Sequence, residues 1–295
     1  MPGLYLVATP IGNLADISLR ALHLLAMADA IACEDTRTTR KLLAVHHIET
    51  QLVAYHEHNA ERIRPRLIEM IKCGKSVALV SDAGTPLVSD PGHKLVKAVI
   101  AEGLAVTALP GPSAALAALL VSGLPSDRFF FAGFLPAKSA ARRRALGELA
   151  SVPASLVIFE AARRLASALE DMASLLGPRP AAVARELTKL YEEVRRDTLV
   201  ALAAHYRRAG PPKGEVVVVV GPPEAEADRV VAEELDIRLR AAMKTASLRD
   251  AAAAVAGATG LPKRRIYARA LELRQAGELD QAGLGTEETT PGETP

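Results

Sequence analysis

The chain has few of the residues that mark several common classes of protein. Its 295 residues include no tryptophan, five tyrosines and five phenylalanines. So few aromatic side chains argue against capture of single-stranded nucleic acid on a platform of stacked rings. The only two cysteines, Cys33 and Cys73, lie on or beside apolar runs. This pattern predicts reduced thiols in the core, and neither a disulfide framework nor a metal site.

Long apolar runs and a strong net charge are also missing. No segment reaches the roughly 18 consecutive apolar residues of a membrane span, and the first residues lack the pattern of a signal peptide. The 36 Lys and Arg residues nearly balance the 34 Asp and Glu residues. Any contact with nucleic acid must therefore come from local patches. We expect a cytoplasmic protein without a membrane partner.

Several familiar cofactor and catalytic motifs are absent as well. Gly12 stands alone after the first predicted strand, where a dinucleotide-binding protein would have Gly-x-Gly-x-x-Gly. The chain also lacks a Walker lysine loop, a Gly-x-Ser-x-Gly elbow and paired histidines at metal-binding spacing. These absences disfavour a nicotinamide enzyme and a P-loop NTPase, and we expect no metal.

Short segments rich in Gly, Pro and small polar residues follow four predicted strands. The most informative is residues 81–92, after the apolar run at 77–80; the others follow residues 4–8, 30–33 and 105–109. In open α/β folds, ligands bind at the carboxyl ends of parallel strands. The segments therefore predict a ligand crevice, although well-capped surface turns use the same residue types.

The order of predicted elements indicates an α/β protein with two α/β domains and a small C-terminal helical unit. We assign residues 1–124 and 125–222 to the two domains. The second has a mixed sheet, in which the charged segment 192–199 is an edge strand or hairpin arm. Residues 228–275 form a basic helical appendage. Residues 276–295 hold five acids and no Lys or Arg, which predicts a disordered tail.

Seven ordered segments resemble the tetrapyrrole-methylase superfamily, in particular its 16S rRNA ribose 2′-O-methyltransferases. They are residues 7–17, 34–37 (Glu-Asp-Thr-Arg), 81–92, 109–114 (Leu-Pro-Gly-Pro-Ser-Ala), 133–136 (Gly-Phe-Leu-Pro), 185–189 (Arg-Glu-Leu-Thr-Lys) and 213–215 (Lys-Gly-Glu). The resemblance covers residues 4 to about 221, and the appendage is similar to a C-terminal extension of the same enzymes.

This resemblance implies a homodimer with a cofactor cleft between its two α/β domains. It also implies S-adenosyl-L-methionine as cofactor, and methylation of a cytidine 2′-hydroxyl in the decoding region of 16S rRNA within the 30S subunit. One position departs from the family. Where the family has a His before Arg164, this chain has Arg163. An arginine cannot accept a proton in a protein, although it can bind phosphate.

The methionine end of such a cofactor carries a carboxylate and an ammonium group. Backbone donors and acceptors at glycine-rich strand ends suit both groups. The predicted cofactor-binding residues are Pro10, Gly12, Asp82, Ala83, Gly84, Thr85, Pro86, Ser113 and Ala114.

Charged residues at predicted strand ends are candidates for the chemistry at the hydroxyl group. The catalytic candidates are Lys189, Glu34 and Glu160. Lys189 acts as a base only if burial or a neighbouring cation lowers its pKa; left charged, it could orient the oxygen. For each such group, an ion pair that holds a loop is an equally good interpretation.

Two local basic runs are candidates for contact with RNA. The first is Arg142, Arg143 and Arg144; the second is Lys263, Arg264 and Arg265, within a segment 236–274 that has nine Lys or Arg and three acids. A solvated basic face is the simpler alternative. Two other functions remain open: a small-molecule methyltransferase acting on a tetrapyrrole, and a non-catalytic RNA-binding factor of ribosome assembly.

Overall fold

The structure is a computed structural model that describes residues 1–88, 92–223, 226–259 and 263–283. The chain divides into two compact units, Met1–Pro223 and Glu224–Pro295. The first unit contains two five-stranded sheets, and the described part of the second is helical.

The first sheet is entirely parallel, with strand order β3-β2-β4-β1-β5. Its strands are β1 (Gly3–Val7), β2 (Ala30–Cys33), β3 (Leu52–Ala54), β4 (Ser76–Val80) and β5 (Val106–Leu109). Helices α1 (Leu19–Met27) and α2 (Thr36–Val45) pack on one face, and α3 (Ala60–Lys72) and α4 (His93–Ala101) pack on the other. Because both faces are covered, β2 is apolar at every position.

The second sheet has the order β6-β7-β10-β8-β9 and is mixed, as predicted. Its strands are β6 (Phe129–Phe134), β7 (Ser155–Ala161), β8 (Pro180–Arg185), β9 (Glu193–Thr198) and β10 (Glu215–Val220). Only β6 and β7 pair in parallel. One face packs against α6 (Ser139–Leu149), α7 (Leu165–Leu176) and α8 (Leu199–Ala209), and the opposite face packs against α5 (Ala114–Ser122).

The predicted α/β class and the helical C-terminal unit are confirmed. The charged segment before Leu199 forms β9, an edge strand. Strand β3 was not predicted, because its three residues are too few to display either an alternating pattern or a long apolar run.

The second unit consists of α9 (Glu226–Met243), α10 (Leu248–Thr259) and α11 (Lys263–Gly283) around a small aliphatic core. Ser247 caps α10, since its hydroxyl accepts a hydrogen bond from the Asp250 N–H at 3.2 Å. Helix α11 continues past residue 275, where the sequence analysis places the start of the tail, and residues 284–295 lie outside the described part. None of the described helices is long and apolar enough to cross a membrane.

Candidate functional site

Hydrogen bonds tie together three of the loops that follow strands of the first sheet. Thr9 and Gly84 exchange backbone hydrogen bonds of 2.9 and 3.0 Å. The Thr9 hydroxyl donates to the Ser81 carbonyl, and the Thr85 hydroxyl donates to the Pro112 carbonyl, both at 3.0 Å. The loops after β1, β4 and β5 therefore form one connected edge. Residues 89–91 of the predicted segment lie outside the described residues.

A cavity of about 720 Å³ lies between this edge and the second sheet. This volume is in the usual range for a small-molecule or cofactor site. The first sheet's loops contribute Ile11, Ala83, Gly84, Thr85, Ser113 and Ala114 to its wall, and the second sheet and its loops contribute Phe134, Phe159, Glu160, Arg163, Lys213 and Glu215 among others.

Five of the nine predicted cofactor residues line this cavity: Ala83, Gly84, Thr85, Ser113 and Ala114. Gly84 has φ of +80°, a conformation that favours glycine. A Cβ there would lie 3.2 Å from Ile11 Cγ2. Ser113 precedes the first turn of α5, and its hydroxyl makes no capping hydrogen bond with a described residue. Ser113 and Ala114 line the cavity, and the free N–H groups of a first helical turn can receive an anion.

The other four predicted cofactor residues are outside the cavity lining: Pro10, Gly12, Asp82 and Pro86. The Asp82 carboxylate instead accepts the Asp35 N–H at 3.0 Å, which joins the loops after β2 and β4. Pro86 is buried and Pro10 is half-buried.

Gly12 permits a close approach between the two halves of the first unit. A Cβ on Gly12 would lie 2.5 Å from Lys189 Cγ and 2.9 Å from Thr188 Oγ1. Real Cβ atoms do not approach other atoms so closely, so any side chain at this position would displace the loop after β8. The structure therefore explains Gly12 by protein packing.

Lys189 is held by two carboxylates and does not line the cavity. Its Nζ donates to Glu186 Oε1 at 2.8 Å and to Glu215 Oε2 at 3.1 Å. Burial alone would lower the pKa of Lys189, but the hydrogen bonds and charges of these carboxylates outweigh burial, and the pKa is raised. A base role needs a lowered pKa. The contacts of Lys189 therefore favour an ion pair that holds the loop over a role as the base.

The loop that carries Lys189 has an unusual backbone. Glu186 and Thr188 have φ of +51° and +66°, which is costly for residues with a Cβ and most costly for a β-branched one. The Thr188 N–H donates to Glu192 Oε2 at 2.6 Å, and Lys189 binds Glu186. These bonds stabilise a conformation that the sequence alone does not indicate.

Glu160, near the end of β7, is the one catalytic candidate that lines the cavity. It is 2% exposed. Its Oε1 atom accepts the Ala161 N–H at 2.7 Å and two Arg164 donors at 2.8 and 2.7 Å. Its Oε2 atom is buried without a hydrogen-bond partner among the described residues. The Glu160 side chain has no solvent-accessible surface, and a buried carboxylate oxygen without a donor is costly.

Glu34 is exposed after β2 and is not a cavity residue. Its neighbour Asp35 caps α2, and Arg37 Nη2 lies 2.7 Å from Asp35 Oδ2. The hydrogen bonds from Arg37 lower the pKa of Asp35 to about 2. Charged residues at this strand end thus form a loop-holding ion pair.

Aromatic rings form part of the cavity wall, which the sequence analysis missed. The Phe159 ring lies 4.9 Å from the Phe131 ring and 5.5 Å from the Phe134 ring, both edge to face. Phe159 and Phe134 line the cavity, and Phe134 is 58% exposed. A possible signal was the run of phenylalanines in a chain so poor in aromatics.

The structure separates the three arginines of the first basic run, of which only two are exposed. Arg142 is 3% exposed, and its guanidinium pairs with Asp171 Oδ2 at 2.6 Å. Arg143 pairs with Asp171 Oδ1 at 3.2 Å, and Arg144 is exposed. The prediction for Arg142 is therefore wrong, because a buried arginine that holds a carboxylate cannot contact RNA.

The second basic run lies in the second unit. Lys263 and Arg264 are exposed in the first turn of α11, and the side chain of Arg265 lies outside the described part. With Arg249 and Tyr267, the first two line an open concavity of about 530 Å³. Within the described ranges, no group of three His, Cys, Asp or Glu residues could hold a metal ion.

Comparison with known proteins matches each of the two units to a protein family. A family model described as Tetrapyrrole (Corrin/Porphyrin) Methylases matches residues 3–203, and one described as RsmI C-terminal HTH domain matches residues 222–274. The chain is 55% identical over 282 residues to "Ribosomal RNA small subunit methyltransferase I" of Mesorhizobium japonicum, covering 95% of both chains. It is 48% identical to the protein of that name from Xylella fastidiosa (strain Temecula1), covering 90% of this chain and 98% of that one.

Solved structures share the fold at low sequence identity. Cobalt precorrin-4 methyltransferase has a TM-score of 0.56 at 18% identity and covers 74% of this chain and 94% of its own. Diphthine synthase has a TM-score of 0.58 at 20% identity, with coverage of 74% and 89%. Uroporphyrin-III C-methyltransferase from Thermus thermophilus, complexed with S-adenosyl homocysteine, has a TM-score of 0.52 at 22% identity, with coverage of 77% and 99%.

Proposed function

Because the chain belongs to the tetrapyrrole (corrin/porphyrin) methylases, and within them to the ribosomal RNA small subunit methyltransferases I, we propose that it methylates small-subunit ribosomal RNA. The proposed reaction transfers a methyl group from S-adenosyl-L-methionine to the 2′-hydroxyl of a cytidine ribose in the decoding region of 16S rRNA.

The observation that carries this proposal is the extent of the match. The rRNA methyltransferase from Mesorhizobium japonicum aligns over 95% of both chains. The small-molecule methyltransferases among the solved structures cover nearly all of their own length but only about three quarters of this chain. A tetrapyrrole substrate does not require the additional basic helices, whereas an RNA substrate gives them a role.

The cavity has the donors and surfaces that the cofactor needs. S-adenosyl-L-methionine supplies a methyl group on a sulfonium, in a molecule with a carboxylate, an ammonium and a purine. We assign the carboxylate to the first turn of α5 at Ser113 and Ala114, and the ammonium to backbone carbonyls of residues 83–85. Phe134 and Phe159 offer apolar ring surface for the purine. Glu160 lines the same cavity, and its buried Oε2 atom has no hydrogen-bond partner among the described residues.

Glu160 is the residue that we assign to the reacting hydroxyl. Its Oε1 atom is fixed by Ala161 and Arg164, so that Oε2 is held in one position. In the proposed role, Oε2 accepts the hydrogen bond of the ribose 2′-hydroxyl, orients its oxygen and receives its proton late in the reaction. Glu34 and Lys189 have no such position at the cavity wall.

Cations at the cavity wall can hold the phosphates next to the target ribose. Arg163 and Lys213 are exposed lining residues. Arg163 stands where the family has a His, and its permanent charge suits phosphate binding. We propose Arg143, Arg144, Lys263, Arg264 and Arg265 as further RNA contacts, within a 30S subunit in the cytoplasm.

We also propose a homodimer. Helix α5 is apolar all round, and its Leu116 and Leu120 are 48% and 76% exposed. The edge strand β6 exposes Phe129 and Phe130. Exposed apolar side chains on a helix and on a sheet edge are typical of a covered surface. Light scattering of the purified protein measures the oligomeric state directly.

The decisive experiment maps 2′-O-methyl groups on 16S rRNA from cells with and without this chain. Loss of one methylated cytidine, restored by the purified protein with S-adenosyl-L-methionine and 30S subunits, supports the proposal. An unchanged map contradicts it. Calorimetry with S-adenosyl-L-methionine then separates the alternatives, because a non-catalytic assembly factor would not bind this cofactor and a small-molecule methyltransferase would.

A further inference from the structure

The open concavity of the second unit combines three cations and one aromatic ring. Arg249 comes from α10, and Lys263, Arg264 and Tyr267 come from the first turns of α11. All four side chains are exposed. No carboxylate of a described residue lies within ion-pair distance of the three cations. Their positive charge is therefore not neutralised within the described part of this unit.

Another arginine of α11 differs sharply from these three. Arg269 pairs with Asp236 and Glu272, each at 2.7 Å. The hydrogen bonds that Arg269 donates to these carboxylates raise its pKa. An arginine that holds α11 against α9 thus has acidic partners on the protein. The cations of the concavity have no such partner among the described residues, and two of them lie at a helix N-terminus, where the helix dipole disfavours positive charge. An external anion would compensate both effects.

Tyr267 has no evident role in the core. It is the only aromatic residue after position 223 in the whole sequence. The core of the unit consists of aliphatic residues, including Leu239, Ile266 and Ala270, each fully buried. Tyr267 lies between Ile266 and the next core position and is 40% exposed. A large ring that is exposed among cations suits a flat partner that carries negative charge nearby.

We propose that this concavity binds one unpaired nucleotide of the RNA substrate, with its base stacked on Tyr267 and its flanking phosphates on Arg249, Lys263 and Arg264. The inference rests on the proposed function and extends it. Binding of an RNA helix would need only contacts to the RNA backbone, whereas this site would take up an unstacked base. Proteins recognise RNA sequence mainly at such unpaired bases. The scarcity of aromatics excludes a stacking platform, but a single ring is enough for one base.

The test measures the binding of full-length protein to a fluorescein-labelled single-stranded RNA 10-mer and to the duplex of the same sequence. The wild type should bind the single strand more tightly. Tyr267→Ala should weaken single-strand binding by about 5- to 150-fold, the loss of one stacked base. It should leave duplex binding and the salt slope unchanged. Tyr267→Phe should restore wild-type affinity, because the ring and not the hydroxyl makes the contact.

Two charge variants complete the design. Arg249→Gln should lower the salt slope for the single strand by about 0.7, the effect of one lost phosphate contact. Lys244→Gln removes the same charge from an exposed position of the same unit outside the concavity and should change neither slope nor affinity. Circular dichroism verifies that each variant is folded.

The inference is overturned if folded Tyr267→Ala binds single-stranded RNA like the wild type, or if it weakens duplex binding equally. An acidic protein partner in place of RNA would give the first of these results. Methylation of 30S subunits is measured in parallel with wild-type protein. If that methylation is absent while the Tyr267 effect persists, the proposed function fails and the nucleotide site stands.

Discussion

Replacement of Glu160 by Gln tests the central assignment with little change of shape. The amide oxygen of Gln can still accept the Ala161 N–H and an Arg164 donor, which now reach Oε1 at 2.7 and 2.8 Å. The amide nitrogen takes the place of Oε2, the oxygen without a partner in the described structure. A buried acceptor thereby becomes a donor, and the negative charge is lost.

The size of the effect follows from the kind of hydrogen bond that is lost. A hydrogen bond to a charged group contributes about 1.5–3 kcal/mol. We therefore expect the single-turnover methylation rate of Glu160→Gln to fall roughly 10- to 150-fold at saturating 30S subunits and cofactor. Arg164 loses its carboxylate but is 25% exposed. The free energy of unfolding should therefore fall by only about 1–2 kcal/mol, less than for a fully buried pair.

Two measurements show whether the lower methylation rate of Glu160→Gln comes from a lost contact with the substrate. If Glu160 binds the ribose hydroxyl, calorimetry should find the affinity for S-adenosyl-L-methionine unchanged while the rate falls. Glu148→Gln, which removes an exposed carboxylate from α6, should leave both quantities at wild-type values. A folded Glu160→Gln protein with the wild-type rate would refute the catalytic role, and Glu160 would then only hold Arg164. A weaker affinity for the cofactor at an unchanged rate would instead assign Glu160 to cofactor binding.

Three further predictions concern contacts that support the site. Lys189→Ala should leave the pH profile of the single-turnover rate unchanged in shape, because two carboxylates raise the pKa of Lys189 and thereby disfavour it as the base; loss of the alkaline rise would contradict this. Gly12→Ala should lower the free energy of unfolding in urea by about 1–3 kcal/mol, whereas Gly147→Ala, with open space around its Cβ in α6, should raise it by about 0.5–1 kcal/mol; equal effects would disprove the packing argument. Arg142→Gln should cost about 3–5 kcal/mol of stability at neutral pH without changing the salt slope of RNA binding, and a shallower slope would restore Arg142 as an RNA contact. Burial alone would raise the pKa of Asp171, but hydrogen bonds from Arg142, Ser139 and Arg143 lower it. The ion pair of Arg142 and Asp171 therefore stabilises the fold above the ordinary carboxyl pKa, and this stabilisation is lost as the pH falls through the lowered pKa of Asp171. The free energy of unfolding should consequently depend less on pH in the acid range for Arg142→Gln than for the wild type.

The sequence predicts what depends on local pattern and misses what depends on contacts between distant segments. Continuous apolar strands followed by Gly and Pro identify the parallel sheet and the loops at its edge, including Gly84 and Ser113. The three consecutive arginines 142–144 form one basic patch in the sequence. On a helix, successive residues point about 100° apart, so Arg142 falls on the buried side with Leu146, while Arg143 and Arg144 do not. A charge run within a helix therefore predicts at most part of a surface.

Two glycines show why the second wall of the site could not be predicted. Gly12 gives space to Lys189, and Gly214, with φ of +91°, gives space to the side chain of Glu186. The loop after β8 thus fits between the loop after β1 and the start of β10, and Lys189 joins Glu186 to Glu215, a residue of the cavity wall. Each glycine resembles a ligand-binding glycine in its local sequence, but its neighbour is a protein side chain. Lys189 is therefore best understood as a positioning residue, whose charge holds the wall of the cavity in which we propose that Glu160 binds the substrate.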